Sequence, residues 1–182
     1  MKYLPNILTI ARLLSCPLII ALFILENEVK IVLIVFTAAC LTDFFDGYLA
    51  RKGNFRSDFG KILDPIADKV LIVTMCGLLS VYGDFHPYNK IGFYIIILRE
   101  LIVSFLRFNL SVKDENIDVS LLSKYKTFIQ MLSFGFYLLY ESIGFLNSTV
   151  FYNVVICLIW IGVYITCITG FQHFRTYLKL KK

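Results

Sequence analysis

The sequence predicts an all-α integral membrane protein, a bundle of six transmembrane helices forming one domain over residues 1–182, and three observations support this. Of the 182 residues 58% are hydrophobic and 17% charged, with a mean hydropathy of +0.75. A soluble domain is roughly 45–50% apolar and about 25% charged. Six apolar segments of membrane-spanning length follow one another, and the basic residues are distributed very unevenly among the intervening loops.

Each segment is close to the ~20 residues that an α-helix needs to cross a bilayer, and is too long for a strand. Short pieces rich in Gly, Asn, Asp and Glu separate the segments. In chain order the segments are 7–25, 29–50, 61–81, 91–110, 124–141 and 149–171. The first carries Arg12, the second has Asp43 and Asp46 near its end, and the third has Asp64 and Asp68 near its start. The fourth has Arg99 and Arg107 in its second half, the fifth begins with Lys124 and Lys126, and the sixth is uncharged.

The basic residues predict the orientation. Of the 18 lysines and arginines, only Lys30 and Lys90 lie in the loops after the first and third segments, and the loop after the fifth has none. By the positive-inside rule, both termini and the second and fourth loops face the cytosol. We therefore expect a multi-pass protein of the cytoplasmic membrane with both termini inside, in contact with membrane lipid.

Other classes of protein are excluded. The net charge of +5 does not indicate a nucleic-acid partner, because the basic residues are interleaved with apolar runs rather than gathered on a polar face. The five cysteines lie scattered in apolar stretches without a C-x-x-C pair, which excludes a disulfide framework or a structural zinc site.

The charged residues named above within the segments fall on the predicted cytosolic half. A charge at bilayer depth costs about 2.5–3.5 kcal/mol on insertion scales, so such residues usually face a bundle interior or a watery cavity. An active site on the cytosolic half is therefore expected. Arg107, Lys124 and Lys126 could equally lie at helix ends and reach the interface, whereas short aspartate side chains cannot.

The aspartates form two helical pairs. Asp43 and Asp46 are three residues apart, and Asp64 and Asp68 are four apart, so each pair shares one helical face. If the two consecutive helices are neighbours, four carboxylates meet at one depth and need compensation. Oxygen ligands suit Mg²⁺, Mn²⁺ or Ca²⁺, and two such ions sharing carboxylates are typical of phosphoryl displacement.

Two glycines accompany these acids. Gly47 follows Asp46, and Gly60 lies one turn before Asp64. A helical glycine costs up to ~1 kcal/mol relative to alanine, so close approach by a ligand or a neighbouring helix is the expected reason. For Gly60, plain helix packing is an equally good explanation.

The combined pattern is Asp43-x2-Asp46-Gly47-x2-Ala50-Arg51-x8-Gly60-x3-Asp64-x3-Asp68, eight fixed positions over 26 residues. It resembles, without gap or substitution, the signature of the CDP-alcohol phosphatidyltransferases, and the hydropathy of the whole chain resembles that six-helix family. Within the family, the chain is most similar to the phosphatidylglycerophosphate synthase branch. That similarity rests on the stretches 4–12, 63–69, 98–107 and 124–130, with Ser123 as one departure from the branch, which more often has Gly there.

The resemblance implies transfer of the phosphatidyl group from CDP-diacylglycerol to sn-glycerol 3-phosphate, with release of CMP. It also implies two divalent cations, Mg²⁺ or Mn²⁺, and a homodimer. Asp43, Asp46, Asp64 and Asp68 would be metal ligands, and Asp68 would also act as general base. By the same resemblance, the CDP-diacylglycerol site would comprise Asn6, Thr9, Arg12, Gly47, Ala50, Arg51 and Gly60.

The acceptor's phosphate needs cations, and the candidates are Arg99, Arg107, Lys124 and Lys126. A salt bridge from Arg99 to Glu100 or to another helix is the structural alternative. His86 and His173 receive no role.

Three other functions remain open at this stage. The acceptor could be serine, inositol phosphate or phosphatidylglycerol. A cation transporter could use intramembrane carboxylates, although no polar residues continue to the other side of the membrane. A purely structural membrane subunit would leave the spacing of the acids unexplained.

Overall fold

The computed structural model describes residues 4–26, 28–53, 58–111, 121–144 and 148–180. Within these ranges, the side chains of 4–6, 26, 43–53, 58–62, 64, 107–111, 121, 123, 124 and 180 lie outside the described residues. The described chain is helical and has no strand, which confirms the all-α prediction. The helices are α1 (Leu4–Ala21, continued by a π-helical turn, Leu22–Glu26), α2 (Val29–Gly53), α3 (Asp58–Tyr82), α4 (Pro87–Ser111), α5 (Leu121–Ser142) and α6 (Thr149–Leu180).

Local chemistry explains where two of these helices begin. Pro87 is the first residue of α4. Proline has no backbone N–H, but an N–H at the first helical position has no acceptor within the helix, so proline costs the helix no hydrogen bond there. Ser148 precedes α6, and its hydroxyl accepts the backbone N–H of Phe151 at 3.3 Å, which caps the helix. At its other end α6 continues past the predicted limit of residue 171 to Leu180, so the last helix reaches beyond the apolar segment.

The helices pack in a closed ring. Helix α1 contacts both α2 and α3, α3 contacts α4, α4 contacts α6, α6 contacts α5, and α5 returns to α2. Helices α3 and α5 also touch across the ring. Neighbours in the ring are therefore often distant in sequence, and side chains from α1, α3, α4, α5 and α6 can meet inside it.

The ring has an apolar exterior and carries its polar side chains inside. Helices α1, α3 and α6 contain segments long and apolar enough to cross a membrane, namely Ile7–Leu25, Pro65–Tyr82 and Thr149–Lys179, and α2 contains the shorter apolar Val29–Thr42. On α4 and α5, the charged side chains of Arg99, Glu100 and Lys126 lie in the interior. The outward residues of these two helices are large and apolar: Tyr94, Leu98, Leu101, Phe105, Leu122, Tyr125, Phe128 and Leu132. This is the distribution expected of helices whose surroundings are lipid.

The aromatic core lies towards the α3–α4 turn. Phe85, in that turn, is buried, and its ring lies 4.4 Å from that of Tyr137 and 5.2 Å from that of Phe93. The Tyr137 hydroxyl accepts the backbone N–H of Asp84 at 2.9 Å, and Tyr152 donates to the Asp84 carbonyl at 3.2 Å. Side chains of α5 and α6 thus fix the turn between α3 and α4.

Gly83, in this turn, has no room for a side chain. A Cβ there would lie 2.6 Å from the Leu79 carbonyl oxygen and 2.8 Å from a ring carbon of Phe85. We expect Gly83→Ala to lower the free energy of unfolding by about 1–3 kcal/mol, measured as thermal unfolding in detergent. Gly144→Ala is the matched control, because no atom lies within 4 Å of the Cβ position. Equal melting temperatures for the two variants would contradict the prediction.

Candidate active site

The four motif aspartates lie on two consecutive helices, α2 and α3. Asp43 and Asp46 fall in the helical backbone of α2, and Asp64 and Asp68 in that of α3, so both predicted spacings are helical. The side chains of Asp43, Asp46 and Asp64 lie outside the described residues, as do those of Asn6, Gly47, Ala50, Arg51 and Gly60. Asp68 is the motif carboxylate whose side chain the structure describes.

Asp68 is paired with Arg12. Nη1 of Arg12, on α1, donates to Oδ1 of Asp68, on α3, at 2.6 Å. The Arg12 side chain is 1% exposed and that of Asp68 30% exposed. A buried guanidinium is costly unless a carboxylate accompanies it, so this pair holds α1 and α3 in a defined register.

Thr9 lies one turn before Arg12 on the same buried face of α1 and is 0% exposed. The structure therefore brings together Thr9, Arg12 and Asp68, three residues that the sequence analysis assigned to one active site. This part of the prediction was made from spacing and resemblance, and the packing of α1 against α3 supplies the physical reason for it.

A second polar group joins α4 and α5. Nη1 of Arg99 donates to Oε1 of Glu100 at 2.9 Å, and Nζ of Lys126 donates to the same oxygen. The three side chains are 10%, 3% and 6% exposed. We call these residues, with Thr169, the Glu100 cluster. Two cations therefore share one carboxylate within this cluster.

Helix α6 completes this cluster. Nη2 of Arg99 donates to Oγ1 of Thr169 at 2.9 Å, and Thr169 is 0% exposed. One turn earlier on α6, Thr166 accepts a hydrogen bond of 2.8 Å from Nε2 of the buried Gln130, which lies one turn after Lys126 on α5. A continuous layer of polar side chains therefore crosses the interior from α4 to α6 and α5.

The two polar groups lie on neighbouring helices. Asp68 is on α3, which packs against α4, the helix that carries Arg99 and Glu100. In the described part of the chain, no three His, Cys, Asp or Glu side chains converge as a metal-binding group.

Two of the four predicted acceptor cations, Arg99 and Lys126, meet at Glu100. The structural alternative for Arg99, a salt bridge to Glu100, is therefore present. The side chains of Arg107 and Lys124 lie outside the described residues.

The sequence analysis missed several buried polar residues. It gave no role to His173, which is 4% exposed, and none to Gln130, Thr166 or Thr169. The available signal was a stripe at helical spacing in a segment otherwise read as uniformly apolar: Thr166, Thr169, Gly170 and His173.

The sequence of this chain is similar to those of known proteins from one family. The sequence model of the CDP-alcohol phosphatidyltransferase family matches residues 2–168. A Rickettsia typhi protein is 39% identical over 179 residues, 96% of this chain and 97% of its own length. Proteins from Cereibacter sphaeroides and Bacillus subtilis are each 31% identical, over 98% and 94% of this chain and 98% and 93% of their own lengths. All three relatives are named CDP-diacylglycerol–glycerol-3-phosphate 3-phosphatidyltransferase.

Proposed function

The chain belongs to the CDP-alcohol phosphatidyltransferase family, and on that premise we propose that it transfers the phosphatidyl group of CDP-diacylglycerol to sn-glycerol 3-phosphate. The products are phosphatidylglycerol phosphate and CMP, so the protein acts in phospholipid biosynthesis. One observation above all supports this acceptor. Arg99 and Lys126 both lie in the interior on the one carboxylate of Glu100, and cationic donors of this kind suit an anionic substrate.

The reaction exchanges one phosphorus–oxygen bond for another. A hydroxyl oxygen of glycerol 3-phosphate attacks the phosphatidyl phosphorus, and the bond from that phosphorus to the CMP oxygen breaks. Asp68 takes the hydroxyl proton as general base, and its side chain is 30% exposed. Arg12 keeps Asp68 oriented through their 2.6 Å contact.

The donor set of the motif suits hard divalent cations, Mg²⁺ or Mn²⁺. Its ligands are all carboxylates, Asp43, Asp46, Asp64 and Asp68, and the motif contains no His or Cys, which zinc would favour. We assign two cations to these residues. When bound, they neutralise the diphosphate of CDP-diacylglycerol and the departing CMP.

The remaining motif residues form the CDP-diacylglycerol site in this proposal. Gly47, Ala50 and Gly60 lack bulky side chains and leave room for the nucleotide. Arg51 lies near the diphosphate. Asn6 and Thr9 line the nucleotide side together with Arg12. Arg99, Arg107, Lys124 and Lys126 bind the acceptor phosphate.

The same proposal includes the topology. All six helices cross the cytoplasmic membrane with both termini in the cytosol, and residues 1–182 form one domain. The interior positions of Arg99, Glu100 and Lys126, with the large apolar residues exposed on α4 and α5, support the crossing of these two helices alongside the other four. The active site then opens to the cytosol, where glycerol 3-phosphate is available. A homodimer is the assembly that the family resemblance suggests.

CMP release by the purified protein tests the acceptor. With CDP-diacylglycerol and Mg²⁺, we expect turnover with glycerol 3-phosphate and at least about 100-fold lower kcat/KM with glycerol, which loses two charge-assisted hydrogen bonds of about 1.5–3 kcal/mol each. Serine, inositol phosphate and phosphatidylglycerol serve as competing acceptors. Turnover with one of these and none with glycerol 3-phosphate would reassign the acceptor.

A further inference from the structure

The contact between Arg99 and the backbone of α6 depends on a glycine. A Cβ placed on Gly170 would lie 3.0 Å from Cγ of Arg99 and 3.3 Å from Nε. The first of these distances is shorter than ordinary carbon–carbon contact. The Arg99 side chain therefore lies directly on the α6 surface, in the space that any other residue at position 170 would fill.

The neighbouring residue fixes the end of the same side chain. Thr169 accepts from Nη2, and Glu100 accepts from Nη1, both at 2.9 Å. Thr169 is itself held by donating to the Ile165 carbonyl at 2.9 Å. The stem of Arg99 is thus positioned by Gly170, and the two terminal nitrogens by groups from different helices.

The guanidinium retains donor capacity in this position. An arginine has five N–H donors, and two hydrogen bonds to protein groups are made here. Nε is buried, and no hydrogen-bond partner for it lies in the described part of the chain. An anion bound by Arg99 would therefore meet a guanidinium whose plane is already fixed by Glu100 and Thr169.

We propose that Gly170 and Thr169 are positioning residues for the acceptor phosphate, acting through Arg99. This inference rests on the proposed function, in which Arg99 binds that phosphate. Neither residue touches substrate in this assignment. Helix α6, which contributes nothing to the aspartate motif, thereby determines how well the enzyme binds its anionic acceptor.

Gly170→Ala tests the proposal. The added methyl group displaces the Arg99 stem, and we expect KM for glycerol 3-phosphate to rise about 10-fold, the effect of weakening one hydrogen bond to a charged group. KM for CDP-diacylglycerol should change less than about 2-fold. Gly162→Ala is the matched control on the same helix, because its Cβ would meet Cγ of Gln130 at 3.4 Å, an ordinary contact.

A second pair of variants separates positioning from folding. Thr169→Val removes the hydroxyl at nearly constant volume and should raise the KM for glycerol 3-phosphate in the same way. Thr169→Ser retains the hydroxyl and should have a KM for glycerol 3-phosphate close to that of the wild type. A merely structural role would change both KM values together, or lower the melting temperature without raising the acceptor KM.

The outcomes are distinguishable. A wild-type protein that releases no CMP with glycerol 3-phosphate overturns the proposed function itself. An active wild type with an unchanged acceptor KM in both Gly170→Ala and Thr169→Val overturns the positioning role alone. So does a KM increase in Thr169→Val that Thr169→Ser fails to reverse.

Discussion

Asp68→Asn is expected to lower the rate of CMP release by about 10²–10⁴-fold, the contribution typical of a general base. Asparagine has nearly the same shape and still offers Arg12 an acceptor oxygen, but it cannot take the proton of the attacking hydroxyl. The fold should therefore survive while the chemistry is lost. The measurement is CMP release under saturating CDP-diacylglycerol and glycerol 3-phosphate, with the melting temperature in detergent recorded for the same preparation.

Asp84→Asn is the control for this variant. Asp84 is an exposed acid in the α3–α4 turn, and its interactions in the core are made by its backbone groups. Its substitution should leave CMP release unchanged. Full activity in Asp68→Asn would show that another group takes the proton, and the base assignment would be wrong.

Glu100→Gln is expected to have the largest effect on stability. It leaves Arg99 and Lys126 buried without the carboxylate that they share. Removing one member of a buried ion pair typically costs about 3–5 kcal/mol. The apparent melting temperature in detergent should fall on the order of 10 °C. Glu28→Gln, which alters an exposed acid before α2, should leave it unchanged.

A double-mutant cycle makes this prediction sharper. Once Glu100 is replaced by Gln, the further change Lys126→Gln removes one of the two cations that have lost this carboxylate. The double variant should therefore be less destabilised than the sum of the two single variants. Strictly additive effects on the melting temperature would contradict the pairing of Lys126 with Glu100.

The helical fold could be predicted because its signals are long and local. Each apolar segment exceeds the length of a strand, and the spacings of Asp43–Asp46 and Asp64–Asp68 become meaningful only in helices. The order of the helices around the ring could not be predicted. The contacts of α4 with α6 and of α2 with α5 depend on side-chain packing between segments that are distant in the chain, and no period in the sequence encodes them.

The contacts of the Arg99 side chain could not be predicted from the sequence. Arg99 had two possible partners, a phosphate or Glu100, and adjacent residues on a helix point about 100° apart, so the sequence could not decide between them. The structure shows the ion pair with Glu100. Thr169 and Gly170 are ordinary residues in an apolar helix, and their contact with Arg99 emerges only once α4 and α6 are packed together.

The closed ring has a consequence for synthesis. Ribosomes produce α6 last, and until it inserts, the gap between α4 and α5 has no helix to close it. In a nascent chain that ends before residue 149, Arg99 and Glu100 lack the Thr169 side of their cluster. Assembly of the proposed acceptor site therefore waits for α6, and a chain truncated before that helix would hold the complete aspartate motif without the α6 side of this site.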